Sequence, residues 1–121
     1  MTKYKTQNFR TTFRNARKGM RLTLKSERNL RIHFFAGTLA IFTGYWLHFT
    51  MIKYCILILA ISGVIVSEMF NSAIEFSLDA IFHNRYNKMV GMAKDIAAGA
   101  VMVTTIVATI IGFLLFISCI F

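Results

Sequence analysis

Long apolar runs, joined by short polar links and preceded by a basic segment, organise this chain. Residues 34–50 (FFAGTLAIFTGYWLHFT) form the first run, closed by Tyr45, Trp46 and His48, and aromatic rings of this kind favour a membrane interface. A link from Met51 to Tyr54 carries one charge, Lys53. The second run starts at Tyr54, is uncharged through Val66, changes character at Ser67–Glu68 and keeps a helical pattern to Phe82. A polar loop (HNRYNKMVG) follows, and Ile96 to Phe121 carries no charge at all. A helical span needs about 20 apolar residues. The pattern predicts an all-α membrane protein with spans at about 34–50, 54–82 and 92–121 in a single domain over 1–121.

The segment before the first run has a different period. Phe9, Phe13, Ala16, Met20 and Leu24 recur at steps of three and four, beside a stripe of Arg10, Arg14, Arg17, Arg21, Lys25 and Arg28. Such spacing predicts a surface helix over 8–31, lying in the headgroup layer with its apolar side down. A plain juxtamembrane topology signal is the competing reading.

Composition narrows the class. The chain has 121 residues, 56% of them hydrophobic and none of them proline, which suits long unbroken helices in one domain. Its formal charge is +9, but the basic residues concentrate in positions 1–33. Placement there fits anionic lipid headgroups and argues against nucleic acid as a partner. No cleavable signal peptide is expected, because residues 1–33 are polar and basic. Cys55 and Cys119 show neither metal spacing nor a disulfide framework. With Arg85, Lys88 and Lys94 in the second loop and only Lys53 in the first link, the positive-inside bias puts the N-terminus and second loop in the cytoplasm. The C-terminus then faces outward.

The five acidic residues, Glu27, Glu68, Glu75, Asp79 and Asp95, bring in the chemistry. Glu68, Asn71, Glu75 and Asp79 are spaced to share one helical face. Counted from Tyr54 at about 1.5 Å per residue, Glu68 lies roughly 21 Å and Glu75 roughly 31 Å along the helix, against a hydrocarbon core of about 30 Å. An ionisable group inside a membrane costs at least a few kcal/mol, which makes Glu68 a site candidate. Interfacial carboxylates can hold Mg²⁺, which shares its oxygen ligands with phosphates. A deeper carboxylate could take a proton from an alcohol whose tail stays in the bilayer, and Lys94 could neutralise phosphate charge. That set suits phosphoryl transfer. A channel or transporter subunit would also use a Glu–Asn–Glu face, and a lipid-binding adaptor would need only the basic helix.

Three sequence elements resemble one family. Glu68-Met69-Phe70-Asn71-Ser72-Ala73-Ile74-Glu75 with Asp79 is the first, Ala93-Lys94-Asp95-Ile96-Ala97-Ala98-Gly99-Ala100-Val101 the second, and Ser26-Glu27-Arg28-Asn29-Leu30-Arg31-Ile32-His33 the third. Together they look like the prokaryotic integral-membrane diacylglycerol kinases, over nearly the whole chain. The resemblance implies a homotrimer of three-span subunits that transfers the γ-phosphate of ATP to a membrane lipid hydroxyl. Carried onto this sequence, it implies Glu68 as general base and Asn71 as a positioning group. Glu27 and Glu75 would be the Mg²⁺ ligands, and Lys94, Asp95, Tyr86, Glu27 and Glu75 the nucleotide site. Asp79 would support them, and Glu68 with Gly99 would meet the lipid.

Two departures accompany the resemblance. The loop reads Arg85-Tyr86-Asn87, where the family commonly has an acid before the Tyr and a His after it, and it looks one residue longer than in Gram-negative members. At the extreme N-terminus the family's basic nucleotide contact has no clear counterpart, with Asn8 near the expected place and Arg10 two residues later. The Glu-Arg-Asn and Lys-Asp-Ile-Ala-Ala-Gly-Ala-Val elements look more like the Gram-positive branch, which resembles undecaprenol kinases. Undecaprenol is therefore the expected lipid and diacylglycerol the alternative, in a bacterial cell membrane.

Overall fold

The computed structural model describes residues 8–121; the first part of the basic segment, with Lys3 and Lys5, lies outside the described residues. Among the described residues the regular structure is all helical. The order is α1 (Phe9–Ser26), α2 (Arg28–Trp46), α3 (Met51–Phe82) and α4 (Lys88–Ile120).

α1 starts where Asn8 accepts the backbone N–H of Thr11 at 2.9 Å, an ordinary N-cap. Its apolar and basic stripes are as expected, with the Phe9 and Phe13 rings stacked 6.4 Å apart on the exposed surface. The helix does not run on to residue 31. It ends at Ser26, and Glu27 adopts an extended conformation (φ −110°, ψ 111°) before α2 begins. Local hydrogen bonds account for the break. The hydroxyls of Thr23 and Ser26 bond back to the carbonyls of Gly19 and Leu22, a habit that weakens helices. Arg31 then donates from Nη1 to the carbonyls of Leu24 and Lys25, each at 2.9 Å, so acceptors left open by the end of α1 are satisfied from α2.

The expected first span, 34–50, also ends early. α2 stops at Trp46 because His48 takes a left-handed conformation (φ 58°). The N–H of Phe49 bonds to the Gly44 carbonyl at 2.9 Å and that of His48 to Tyr45 at 3.2 Å, the Schellman pattern. Thr50 caps α3, which therefore begins at Met51 instead of Tyr54. Glu68 consequently stands about 26 Å and Glu75 about 36 Å from the start of the helix, further along it than the count from Tyr54 gave. His83 and Asn84, both left-handed, end α3, and Asn87 caps α4 through Met89 N at 2.8 Å. α4 thus starts at Lys88, ahead of the expected 92.

α3 and α4 are each long and apolar enough to cross a membrane. α2 is not among them on length and composition, since its first turns carry Arg28, Arg31 and His33 ahead of the apolar residues. The three helices pack antiparallel in sequence. At the end holding the 47–50 turn, Phe49, Leu57 and Leu115 form a buried cluster, joined by Tyr54 and Phe116. Most other large apolar side chains point outward, among them Phe35, Phe42, Leu59, Phe70, Met102 and Phe113. Outward apolar surface on this scale belongs to a protein surrounded by lipid or by other subunits.

Candidate active site

Glu68 sits on α3 where α2 and α4 close over it, and its side chain is only 7% exposed. His33 of α2 brings Nδ1 to 2.9 Å from Glu68 Oε1. This is pairing distance, although the ring does not aim an N–H along that line, so by direction Nδ1 has no hydrogen-bond partner. Among the described residues Glu68 Oε2 is buried with no partner, and so is Asn71 Oδ1, one helical turn further on. A buried acceptor left open costs about 1–3 kcal/mol, which makes this pair an incomplete structure by its own chemistry.

Both residues line a polar cavity of about 160 Å³, together with Glu27, Asn29, Ser72 and the α4 residues Ala98 and Val101. The break at residue 27 brings a second carboxylate to this wall. Asn29 lies two residues later, in the first turn of α2. Ser72, 2% exposed, is the most enclosed of the lining polar residues.

The other expected site residues fall elsewhere. Glu75 is half-buried, two turns beyond Glu68 or about 10 Å along α3, and lies off the wall of that cavity. Asp79 and Lys94 join α3 to α4, with Nζ donating to Oδ1 at 2.6 Å. They flank a separate cavity of about 320 Å³ under the second loop, where Asn84, Arg85, Tyr86 and Asn87 also stand. Tyr86 is 91% exposed there. Asp95 is exposed and outside both cavities, and Gly99 likewise lies off the walls that its neighbours Ala98 and Val101 form. Of the expected site residues, Glu27, Glu68 and Asn71 therefore line one polar cavity, Asp79, Tyr86 and Lys94 a second one under the loop, and Glu75, Asp95 and Gly99 neither.

The donor set decides whether Mg²⁺ fits. Among the described residues, no three His, Cys, Asp or Glu side chains converge as a metal cluster. Mg²⁺ needs fewer, since it is usually held by one or two carboxylates with phosphates and water completing the shell. The cavity offers two carboxylates and two side-chain amides, and its buried open acceptors fit a hard cation. Glu27 belongs to that set; Glu75 would have to reach it from the next turns of α3.

Another cavity, apolar and about 230 Å³, runs between α2, α3 and α4 with His33 in its wall. Gly37, Ala40, Ala60, Ala108 and Gly112 line it, with Phe116 among the larger side chains in its wall. Small side chains are the reason for the space. At Gly37, for example, a Cβ would meet Ile61 at 2.9 Å.

Asn29, Ser72 and the His33–Glu68 contact were not legible as site features in the sequence. Asn29 sits within the Glu-Arg-Asn element, which was a signal that the residue belonged with Glu27. The contact of His33 depends on how α2 docks, and periodicity says nothing of that.

Comparison with known proteins shows what the chain is similar to. The family model described as prokaryotic diacylglycerol kinase matches residues 14–116. An undecaprenol kinase of Bacillus subtilis is 34% identical over 89% of this chain and 87% of its own length. A diacylglycerol kinase of Synechocystis is 35% identical over 87% of this chain, which spans only 60% of that protein. A diacylglycerol kinase of Escherichia coli is 36% identical over 77% of this chain and 75% of its own length.

Proposed function

The chain belongs to the prokaryotic diacylglycerol kinase family and is a membrane lipid kinase; on that premise we propose that it phosphorylates undecaprenol at the expense of ATP. The observation that carries the site is the buried Glu68 carboxylate with Oε2 open beside Asn71 Oδ1. In the proposed reaction Oε2 accepts the proton of the lipid hydroxyl, and the alcohol oxygen forms a bond to the γ-phosphorus. The bond from that phosphorus to the β-phosphate bridging oxygen breaks, and ADP leaves. Asn71 orients the hydroxyl, and a positioned base of this kind contributes about 10²–10⁴-fold.

Mg²⁺, bound by Glu27 with Glu75 and the nucleotide, would neutralise phosphate charge as the transfer proceeds. Lys94 and Asp95 belong to the proposed nucleotide site with Tyr86, and Asp79 supports Lys94. The reading further includes three spans, a cytoplasmic N-terminus, an outward C-terminus and a homotrimer.

The apolar cavity bears on the lipid substrate. His33 in its wall touches Glu68 in the wall of the polar cavity, so a hydrocarbon chain lying in it would carry its hydroxyl toward the carboxylate. Two further apolar cavities lie along α3 and α4, one of about 360 Å³ beside Gly63 and Val107 and one of about 290 Å³ that includes Asn71, so the cavities favour an apolar chain without choosing between one chain and two. The relatives do not decide between lipids, because their identities run from 34% to 36% whichever lipid they are named for.

The test is the purified protein in detergent with labelled ATP, offered undecaprenol and diacylglycerol in parallel, beside Glu68→Gln. Faster label transfer to undecaprenol, lost in the variant, is expected. Preference for diacylglycerol would overturn the lipid assignment, and full activity in Glu68→Gln the base assignment.

A further inference from the structure

A carboxylate acting as a base has two chemically equal oxygens, and rotation about its terminal torsion is broad and two-fold. Unless something holds one oxygen, either can turn toward the substrate or away from it. In this bundle the two are not equivalent: Oε1 lies 2.9 Å from His33 Nδ1, while Oε2 is buried and without a partner. His33 is itself held. Arg31, two residues earlier, ties the start of α2 to the end of α1 through two carbonyls. The ring is 27% exposed and forms part of the apolar cavity wall beside Gly37, Val64 and Thr105.

We propose that His33 is a positioning residue: in the tautomer with its proton on Nδ1 it donates to Glu68 Oε1, locks the carboxylate and leaves Oε2 as the oxygen that receives the substrate proton. A modest turn of the ring would align the N–H, and such contacts commonly tighten only when substrate is bound. The same ring lines the apolar cavity and touches Glu68, which lines the polar one, so the hydroxyl of a lipid held in the apolar cavity would arrive beside the oxygen that His33 leaves free. This inference rests on the lipid-kinase reading with Glu68 as base.

The substitutions separate pairing from packing. His33→Phe keeps the ring volume against the cavity without a donor. His33→Asn keeps an amide N–H near the place of Nδ1, and His33→Gln moves it toward Nε2. In steady-state kinetics on the detergent-purified full chain, His33→Phe is expected to lower kcat about ten- to a hundred-fold while leaving KM for ATP unchanged, since small misplacements of reacting groups cost on that order. His33→Asn is expected to recover much of the loss and to exceed His33→Gln. Adding His33→Phe to Glu68→Gln is expected to cost nothing further.

Wild-type kcat in His33→Phe, a defect confined to KM for ATP, or additive loss in the double variant would overturn the proposal. Where His33→Phe does not fold, the Asn–Gln comparison decides: equal or inverted activities overturn it. No turnover by the wild-type protein on either lipid would overturn the kinase reading and this inference together. Wild-type turnover with an undiminished His33→Phe would overturn the inference alone.

Discussion

Glu68 Oε2 and Asn71 Oδ1 are buried where no described residue donates to them, whereas Glu27 and Glu75 keep partial contact with water. This difference in setting argues for different work by similar side chains. The proposed metal ligands should show in the magnesium dependence. Glu75→Gln and Glu27→Gln are each expected to raise the magnesium concentration needed for half-maximal rate, about tenfold for the loss of one hard-ion ligand worth roughly 1.4 kcal/mol. A titration of rate against magnesium at fixed ATP checks it, and an unshifted curve argues against ligation. Lys94 raises another question, because it already has a partner in Asp79. Both side chains are more than a third or close to a third exposed, so the pair contributes about 0–1 kcal/mol to stability. Lys94→Met should therefore leave thermal stability nearly unchanged and raise KM for ATP severalfold, while Asp79→Asn, which keeps the lysine, should raise it less. Equal KM values in the two variants would make the pair purely structural. The helical spacing of 68, 71, 75 and 79 made most of these residues visible in sequence. Spacing could not say that Glu75 and Asp79 leave the cavity that holds Glu68, because a shared face spreads side chains over more than 16 Å of helix from 68 to 79.

At the scale of the elements, the apolar runs were legible and their ends were not. Run length follows from hydropathy, but the stop after Trp46 depends on a left-handed His48, where glycine is the usual residue. The break at Glu27 depends on backbone carbonyls captured by Arg31. Neither leaves a strong composition signal. The first of these turns makes a clear demand on Gly44. A Cβ there would come within 2.8 Å of the Phe49 ring, which packs in turn on Phe116 with centroids 5.2 Å apart and on Tyr54 at 5.8 Å. Gly44→Val is expected to destabilise the bundle by about 1–3 kcal/mol through overpacking, read as a lower thermal midpoint in detergent. Gly63→Ala, at a position with nothing within 4 Å of the new methyl, is the control and should leave the midpoint in place. Equal midpoints for both variants would show that the ring moves aside freely.

Viewed as a whole, the bundle has two unlike ends. Lys53–Cys119, Ser67–Thr104 and Asp79–Lys94 are cross-ties between α3 and α4 in steady antiparallel register, from the 47–50 turn toward the 83–87 loop. One end therefore holds aromatic packing and the last residues of α4, and the other holds the basic helix, Glu27 and the second loop. If ATP meets the lipid at the basic end, that end must face the cytoplasm, the orientation that the positive-inside bias of Lys and Arg also predicts. The native thiols lie in no disulfide and can be replaced, Cys55 by Ala and Cys119 by Ser, which keeps an acceptor for Lys53. On that background, single cysteines at His48→Cys and Asn84→Cys report the two connections. A membrane-impermeant maleimide added to intact cells, with any outer membrane made permeable, should label position 48 at once. Position 84 should react only after the inner membrane is opened. The reverse pattern would place Tyr86 and Lys94 on the side without ATP, and the proposed reaction could not proceed there. Labelling at both positions in sealed cells would mean that α3 does not cross. Orientation is thus a condition of the mechanism that can be checked without any assay of phosphoryl transfer.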